Sequence, residues 1–527
     1  VSTMNIESYY KCVGSEKEDN SLEALTGPIA SDLKETLEIA SKTYLCLDID
    51  NHTLDNRRKI AEISEKFHKD SNTLTQNVKE SIKSLKDKNT LVIETAHQPT
   101  LFPYSGTMVK PVLAHVIADA LREQGFSVVE VFGILDRDNL KDGWHRRAHL
   151  PDMASKDGAL VIRIDTKLRE HGFNAAPPPT VGEITKWKDS LVNWVKQNRK
   201  AVNKLLNENS NQIIDSDKEK VLFSRIKEIF ELCNEIQPNA LSYGSFNSLF
   251  LTNVINGYWG YPTLFIPYSS SIHVFKEEIG SLIKEGGFYV DSHNKHRKAI
   301  KEHIEIDFKE LSHDHLPFWY VCECGIKIRL LKIDGFFEGE CKDCDKKLKL
   351  NIDELGEYVE RLSPHSISRH LIFFEGLKPS IYVSGWGAMP FTLASRGISD
   401  DIGFYHPPVI PLRINEKYNG IGQLRPLYEL KRRDMSISEI RPLIKDLTMK
   451  SDKLKQEEEF QEYKNIKKEI RDLESIRNSL NTYPSILDYW ISFGIKETRD
   501  NWEEFILGKN FFYERVIACF LDDNSDY

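Results

Sequence analysis

Two close pairs of cysteines carry the clearest chemistry in this chain. Cys322-Glu323-Cys324 and Cys341-Lys342-Asp343-Cys344 stand 16 residues apart in a sequence with eight cysteines. Two such pairs on two turns bring four thiolates around one ion, closing a tetrahedron around zinc with no position left for water. A structural Zn2+ site is therefore expected. Gly325 and Gly339 suit tight turns beside the ligands, and Lys327–Ile333 alternates polar and apolar residues as a hairpin strand would. A redox-active thiol set is the competing reading, but a Cys-x-Cys disulfide would be strained. The remaining cysteines, Cys12, Cys46, Cys233 and Cys519, are scattered. A chain of this length needs no disulfide staples, so the lone cluster points to metal binding in a reducing, cytoplasmic compartment.

A second set of chemically able residues lies in three loops, each directly after a strand-like apolar run. The first follows Leu91-Val92-Ile93 and carries His97 and Gln98, with Lys110 on the helix beyond. The second is Asp136-Arg137-Asp138-Asn139, directly after Leu135. The third is Ser384-Gly385-Trp386-Gly387, directly after Ile381-Tyr382-Val383. Open α/β sheets bind ligands at the carboxyl ends of their strands, so chemistry is expected here. His97 suits proton transfer or anion stabilisation near neutral pH. Asp136 and Asp138 suit orienting an amine, binding hydroxyls or accepting a proton; loop capping and ion pairs with Arg137, Arg146 or Arg147 are the plainer reading. Gly385 and Gly387 let backbone N–H groups approach a ligand, or simply make a tight turn. The P-loop and GxGxxG patterns are absent from these positions, and the chain has no HExxH or GxSxG.

The elements that must position these loops read as α/β. Strand 91–93, a helix with Val109, Val112, Leu113, Val116 and Ile117 on one face, and strand 128–135 make a βαβ unit. A parallel sheet follows from that pattern. Tyr261–Pro267, Ser380–Val383 and Pro407–Leu412 read as further buried strands, and Ser366–Phe374 as a helix. Residues 1–90 read as a helical region, 91–300 as a Rossmann-like core with a helical insertion, and 301–355 as a zinc-binding insert. Residues 356–430 complete the core, and 431–527 hold a coiled-coil and C-terminal helical region. Over 436–481 the spacing of Phe460, Tyr463, Ile466, Ile470, Leu473 and Leu480 predicts one long helix with a coiled-coil seam. That helix either packs on its own domain, folds as a hairpin, or makes a homodimer arm. Its lysines interleave with glutamates, as on a solvated face. The net charge of −9 argues against a general nucleic-acid footprint. No apolar run approaches the roughly 18 residues of a membrane span.

Several motifs in order resemble the cysteine-adding enzymes of bacillithiol biosynthesis (BshC). They are Ala96-His97-Gln98-Pro99-Thr100-Leu101-Phe102 with Gly106 and Lys110, then Leu135-Asp136-Arg137-Asp138 with His145. The best match is Glu360-Arg361-Leu362-Ser363-Pro364, Arg369, Tyr382-Val383-Ser384-Gly385-Trp386-Gly387 and Pro407-Pro408-Val409-Ile410-Pro411. The resemblance spans roughly residues 90–500 and is weak between the motifs. It implies a core similar to class I aminoacyl-tRNA synthetases and nucleotidylyltransferases, a coiled coil that often makes a dimer, and transfer of cysteine to the amine of a glucosaminyl-malate. Two positions depart from the family pattern. Ala388 stands where a glutamate is usual, and Arg137 where an acidic residue or histidine is usual.

The expectation is a ligase that activates a carboxylate, for which ATP or another nucleotide would serve, and lets an amine displace the leaving group. His97 and Lys110 would stabilise negative charge. Asp136 and Asp138 would position the amine. Gln98, Arg369, Tyr382, Ser384, Gly385 and Gly387 would hold small-molecule substrates. Nucleotidyl transfer on the same core, and a non-catalytic RNA- or protein-binding module, are the alternatives.

Overall fold

The computed structural model describes residues 32–508 apart from 165–166, 168, 206–213, 307 and 413–414, together with 27, 30 and 514–519. The opening of the expected N-terminal helical region, with Cys12, lies outside the described residues.

In chain order the strands begin with β1 (Thr90–His97), β2 (Ser127–Ile134), β3 (Arg147–Pro151), β4 (Ala159–Arg163) and β5 (Leu264–Pro267). They continue with β6 (His315–Val321), β7 (Lys327–Ile333), β8 (Phe336–Glu340), β9 (Lys347–Asn351), β10 (Leu362–Pro364), β11 (Ile381–Ser384) and β12 (Val409–Pro411). Helices used below are α1 (Asn51–Asp70), α2 (Gln76–Leu85), α3 (Ser105–Glu123), α4 (Ser366–Leu377), α5 (Met389–Ile402), α6 (Ile437–Gln456) and α7 (Phe460–Leu480).

One sheet has the order β12-β11-β1-β2-β5, and every pairing in it is parallel. Numbered by their own sequence order and read from the β5 edge, these strands run 3-2-1-4-5. That is the doubly wound order, and it places a crevice between β1 and β11, where the winding reverses. The period of two along each strand sorts the apolar side chains into two cores. Leu91, Ile93, Phe132, Ile134, Phe265, Ile381, Val383 and Ile410 face Met108, Val112 and Ile117 of α3. Val92, Val129, Val131, Leu264, Ile266 and Tyr382 face Ile60 of α1, Ile82 and Leu85 of α2, and Leu371 of α4. Each fully buried aliphatic side chain contributes about 1.5–3 kcal/mol, so a charge at Val131 would break the second layer.

Arg57 fixes how α4 leaves the sheet. It is buried in α1 and donates to the carbonyls of Leu377 (3.0 Å), Lys378 (3.1 Å) and Thr90 (3.0 Å). The guanidinium thereby satisfies the last carbonyls of α4 and joins that helix end to β1.

A second sheet, β10-β6-β7-β8-β9, is antiparallel and carries both cysteine pairs in its turns. Phe318, Tyr320, Ile328, Leu330 and Phe337 place it in the same core as α1, α2 and α4. The insertion after β2 opens with the β3–β4 hairpin, which the sequence reading did not foresee, before helices Val181–Leu205 and Ser216–Ile236.

Over 436–481 the structure corrects the expectation of one long helix. The chain reverses between α6 and α7, with Glu458 in the left-handed region at φ 60°. Ile466 and Ile470 meet Leu454, Ile444 and Leu447, while Leu473 and Ile476 meet Ile440 and Leu443. An apolar stripe on α6 supplies the partner, so the seam closes within the chain. Among the described residues, no helix is long and apolar enough to cross a membrane.

Candidate functional site

A cavity of about 630 Å³ opens at the carboxyl ends of β1 and β11. Of the residues expected from sequence, His97, Gln98, Lys110, Arg369, Tyr382, Gly385 and Gly387 line it. Asp136, Asp138 and Ser384 do not.

Lys110 sits on the second turn of α3 and bends back to donate to Ala96 O at 3.1 Å. Burial alone pulls its amine down to about 8. Gly385 leaves room for this bend, since a Cβ there would lie 3.1 Å from Lys110 Cε. His97 behaves differently from the expectation of an anion stabiliser. Its Nδ1 meets the Gln98 carbonyl at 2.9 Å and its Nε2 meets Thr107 Oγ1 at 3.1 Å. The carbonyl can only accept, so Nδ1 carries the hydrogen and Nε2 accepts from the threonine. Burial, reinforced by the nearby Lys110, keeps the ring neutral by holding its pKa well below the usual value. His97 therefore shapes the first loop, and Lys110 supplies the charge.

Asp138 is a half-buried hub. It accepts from Gln98 Nε2 at 2.8 Å, Arg369 Nη1 at 3.1 Å and Lys327 Nζ at 3.3 Å. Burial opposes its ionisation, but Arg369 and Lys327 outweigh it and hold the carboxyl far below the usual range. Asp136 is fully engaged elsewhere. It accepts from Ser269 N at 2.8 Å and from the Ser269 hydroxyl, which pins the turn after β5. Neither aspartate presents its carboxylate to the cavity. Ser384 is buried, and its carbonyl accepts from Leu412 N at 2.7 Å, tying β11 to the segment after β12. Arg137 clamps three carbonyls, those of Leu362 (2.6 Å), Ser269 (3.0 Å) and Glu360.

Three helices begin at the cavity: α3 through Ser105 and Gly106, α4 through Ser366, and α5 through Ala388. None of the three has a side-chain cap. Their first-turn N–H groups and dipoles therefore favour negative charge. Arg147 and Arg369 add guanidinium groups to the lining. Among the described residues that line the cavity there is no carboxylate. In a chain of net charge −9 this is a local inversion of sign.

Sequence reading missed several parts of the wall. Trp144, Arg147 and His149 come from the segment leading into β3 and from β3 itself, Tyr483 from beyond α7, and His370 from α4. Trp144 (41% exposed) and Tyr483 (74% exposed) form an aromatic rim with Tyr104. His370 Nδ1 is buried without a hydrogen-bond partner, and burial keeps its ring neutral. An Asp-Gly-Trp-His-Arg-Arg run at 142–147 was the available signal, since a tryptophan among cations in a loop is costly to expose without use.

Glu94 lies beneath the site on β1. Burial raises its carboxyl to about 8; its Oε1 accepts from Tyr268 Oη at 3.5 Å, and its Oε2 has no hydrogen-bond partner. Tyr268 in turn stacks on Phe373 and lies under the Arg369 guanidinium.

The sulfurs of Cys322, Cys324, Cys341 and Cys344 all lie within 4.8 Å of one another, so the group could hold a metal ion. None is disulfide-bonded. His115, Asp119 and Glu130 also cluster, but Arg122 already pairs with both carboxylates. That group is a closed ion-pair network.

No protein-family model matches the chain, and no curated protein matches it. Among solved structures, a provisionally named arginyl-tRNA synthetase from Campylobacter jejuni aligns with 86% of this chain and 98% of its own. Its identity is 11% and its TM-score 0.25, a likeness too slight to carry an argument about fold or activity.

Proposed function

We propose that this chain is a BshC-like carbon–nitrogen ligase that joins an amino acid, cysteine in the resembled family, to a small amine such as an amino-sugar conjugate. The observation that supports it is the carboxylate-free, cationic cavity at the β1–β11 crevice, with Lys110 and three uncapped helix N-termini around it. That lining suits a polyanion, and the aromatic rim suits a planar ring beside it. ATP has both parts.

The chemistry follows in two steps. The amino-acid carboxylate attacks the α-phosphate and expels pyrophosphate, whose charge Lys110 and Arg147 offset. The amine then attacks the acyl carbon and displaces the nucleoside monophosphate, whose phosphate leaves with the amine proton or passes it to solvent. Ala388, on the lining where the family carries glutamate, leaves no carboxylate to select a cationic amine. We accordingly assign this chain an acceptor that differs from the family's. The four cysteines hold Zn2+ as a closed structural site. A homodimer through the helical hairpin would use its outer face, where Met449 and Phe460 are exposed.

The test is pyrophosphate release from ATP with cysteine and a panel of amino sugars, read alongside amide formation by mass spectrometry. Amide product that disappears in Lys110→Met supports the reading. Pyrophosphate release with the nucleotide transferred to another acceptor would replace it with nucleotidyl transfer. No turnover of ATP under any pairing would remove it.

A further inference from the structure

The cysteine turns do not hang free of the cavity. Cys322 Sγ lies 3.5 Å from Cys344 Sγ, and Cys324 Sγ lies 3.5 Å from Cys341 Sγ, so each contact crosses from one turn to the other. Four sulfurs bound to zinc at about 2.3 Å stand roughly 3.8 Å apart, close to this spacing. The first turn is set by Gly325 N donating to Cys322 O at 2.9 Å, and the second by Cys341 N donating to Lys346 O at 2.9 Å.

From the first turn a stack of backbone contacts leads to the cavity. Gly172 N donates to Gly325 O at 3.1 Å, and a Cβ on Gly325 would fall 2.3 Å from Ala175 Cβ. The turn is thus seated on loop 171–175 with no space between them. That loop in turn holds the second strand-end loop. Phe173 N donates to Asp138 O at 2.9 Å, Asn174 N to Asp136 O at 3.1 Å, and Leu140 N to His171 O at 2.9 Å. In parallel, Lys327, the first residue of β7 and three positions after Cys324, reaches the Asp138 carboxylate at 3.3 Å. Asp138 holds Arg369 and Gln98, and both line the cavity.

We propose that a zinc ion on the four cysteines fastens this stack, so that metal loading positions Arg369 and Gln98 and sets the anion affinity of the cavity. The ion is a positioning device and touches no substrate. Without it, the seat on loop 171–175 rests on the Gly172–Gly325 hydrogen bond and the packing of Gly325 against Ala175, with no bond joining the thiols of the two turns. Metal binding would supply the folding free energy of that module.

The inference rests in part on the anion reading of the cavity, and its test separates the two. The full chain is analysed for metal, then stripped with a chelator and reloaded with zinc. Hydrogen exchange is followed in 136–140 and 171–175, with β1 and β2 as internal controls, and inorganic pyrophosphate is the binding probe. The expected result is one zinc per chain, lost in Cys341→Ser. Stripping should speed exchange in both loops while β1 and β2 stay protected, and lower pyrophosphate affinity at least tenfold, reversibly. A chain that takes up no zinc overturns the site. Unchanged loop exchange on stripping, loss of protection in every strand alike, or faster loop exchange with unaltered affinity overturns the coupling. If the zinc-loaded chain binds no pyrophosphate, the anion reading fails, and the exchange result alone still decides whether zinc braces the loops.

Discussion

Arg369 Nη1 and Asp138 Oδ1 meet at 3.1 Å across 231 residues of sequence, and Lys327 joins the same carboxylate from a different sheet. The cluster is largely shielded from water, with Arg369 buried and Asp138 and Lys327 half-buried, so its members depend on one another. Replacing Asp138 by asparagine would leave two largely shielded cations facing a neutral amide. Breaking one member of a buried ion pair costs about 3–5 kcal/mol. Asp138→Asn should lower the urea midpoint accordingly, and adding Lys327→Met should recover part of the loss. A single variant as stable as the parent would show that water reaches the pair.

Lys110 gives the cavity a pH signature. Its folded-state value of about 8 lies below the usual 10.5 for lysine. Anion binding needs the protonated amine, so affinity for pyrophosphate should hold below pH 8 and fall above it, by up to about tenfold per unit. Stability runs the other way. The unfolded chain binds the extra proton between these two values, so this residue's contribution rises with pH across that window. Titration calorimetry from pH 7 to 9.5 checks the first statement; Lys110→Met should flatten the profile.

Glu94 should make the fold lose stability as pH rises. Its carboxyl is raised from 4.5 to about 8, so its contribution is complete below 4.5 and is lost as pH climbs through 8. The slope is at most about 1.4 kcal/mol per unit. Glu94→Gln, which keeps the shape without the charge, should be more stable than the parent at pH 8.5 and nearly equal to it at pH 5. Thermal melts at the two values suffice.

On the proposed reading the aromatic rim holds the base and the cationic wall holds the phosphates. Trp144→Ala should weaken ATP binding several-fold, as expected for loss of one aromatic contact of about 0.5–1.5 kcal/mol, and leave pyrophosphate binding unchanged. Equal losses for both would mean that Trp144 supports the loop instead of a ring.

What the sequence disclosed follows from locality. The strand-end loops, Lys110 and the glycine turn after β11 were legible because each is fixed by neighbours within a βαβ unit. The cysteine pairs were legible because metal geometry limits their spacing. The roles of Asp136, Asp138 and His97 were not. Their partners, Ser269, Lys327, Arg369 and Thr107, come from other elements, and no local pattern announces them. A hairpin was one of the readings open for 436–481, but its turn could not be placed because two amphipathic helices joined by a left-handed Glu458 carry the same periodicity as one.

The strand order also dictates when the cavity comes into being. Its walls come from 96–110, 144–149, 366–391 and 483–485, segments brought together only after the chain has crossed the sheet in both directions. Local contacts close early and distant ones late, because loop closure costs entropy before the contact repays it. Val92 and Val129 can pair soon after residue 129 has been made; Tyr104 cannot meet Tyr483 until the intervening residues have all followed it. A fragment ending at residue 430 would hold all five parallel strands and still lack one side of the pocket. The same late segment also carries Trp490 and Trp502, both fully buried in the core on the α3 side, so truncation before it should cost stability together with the pocket.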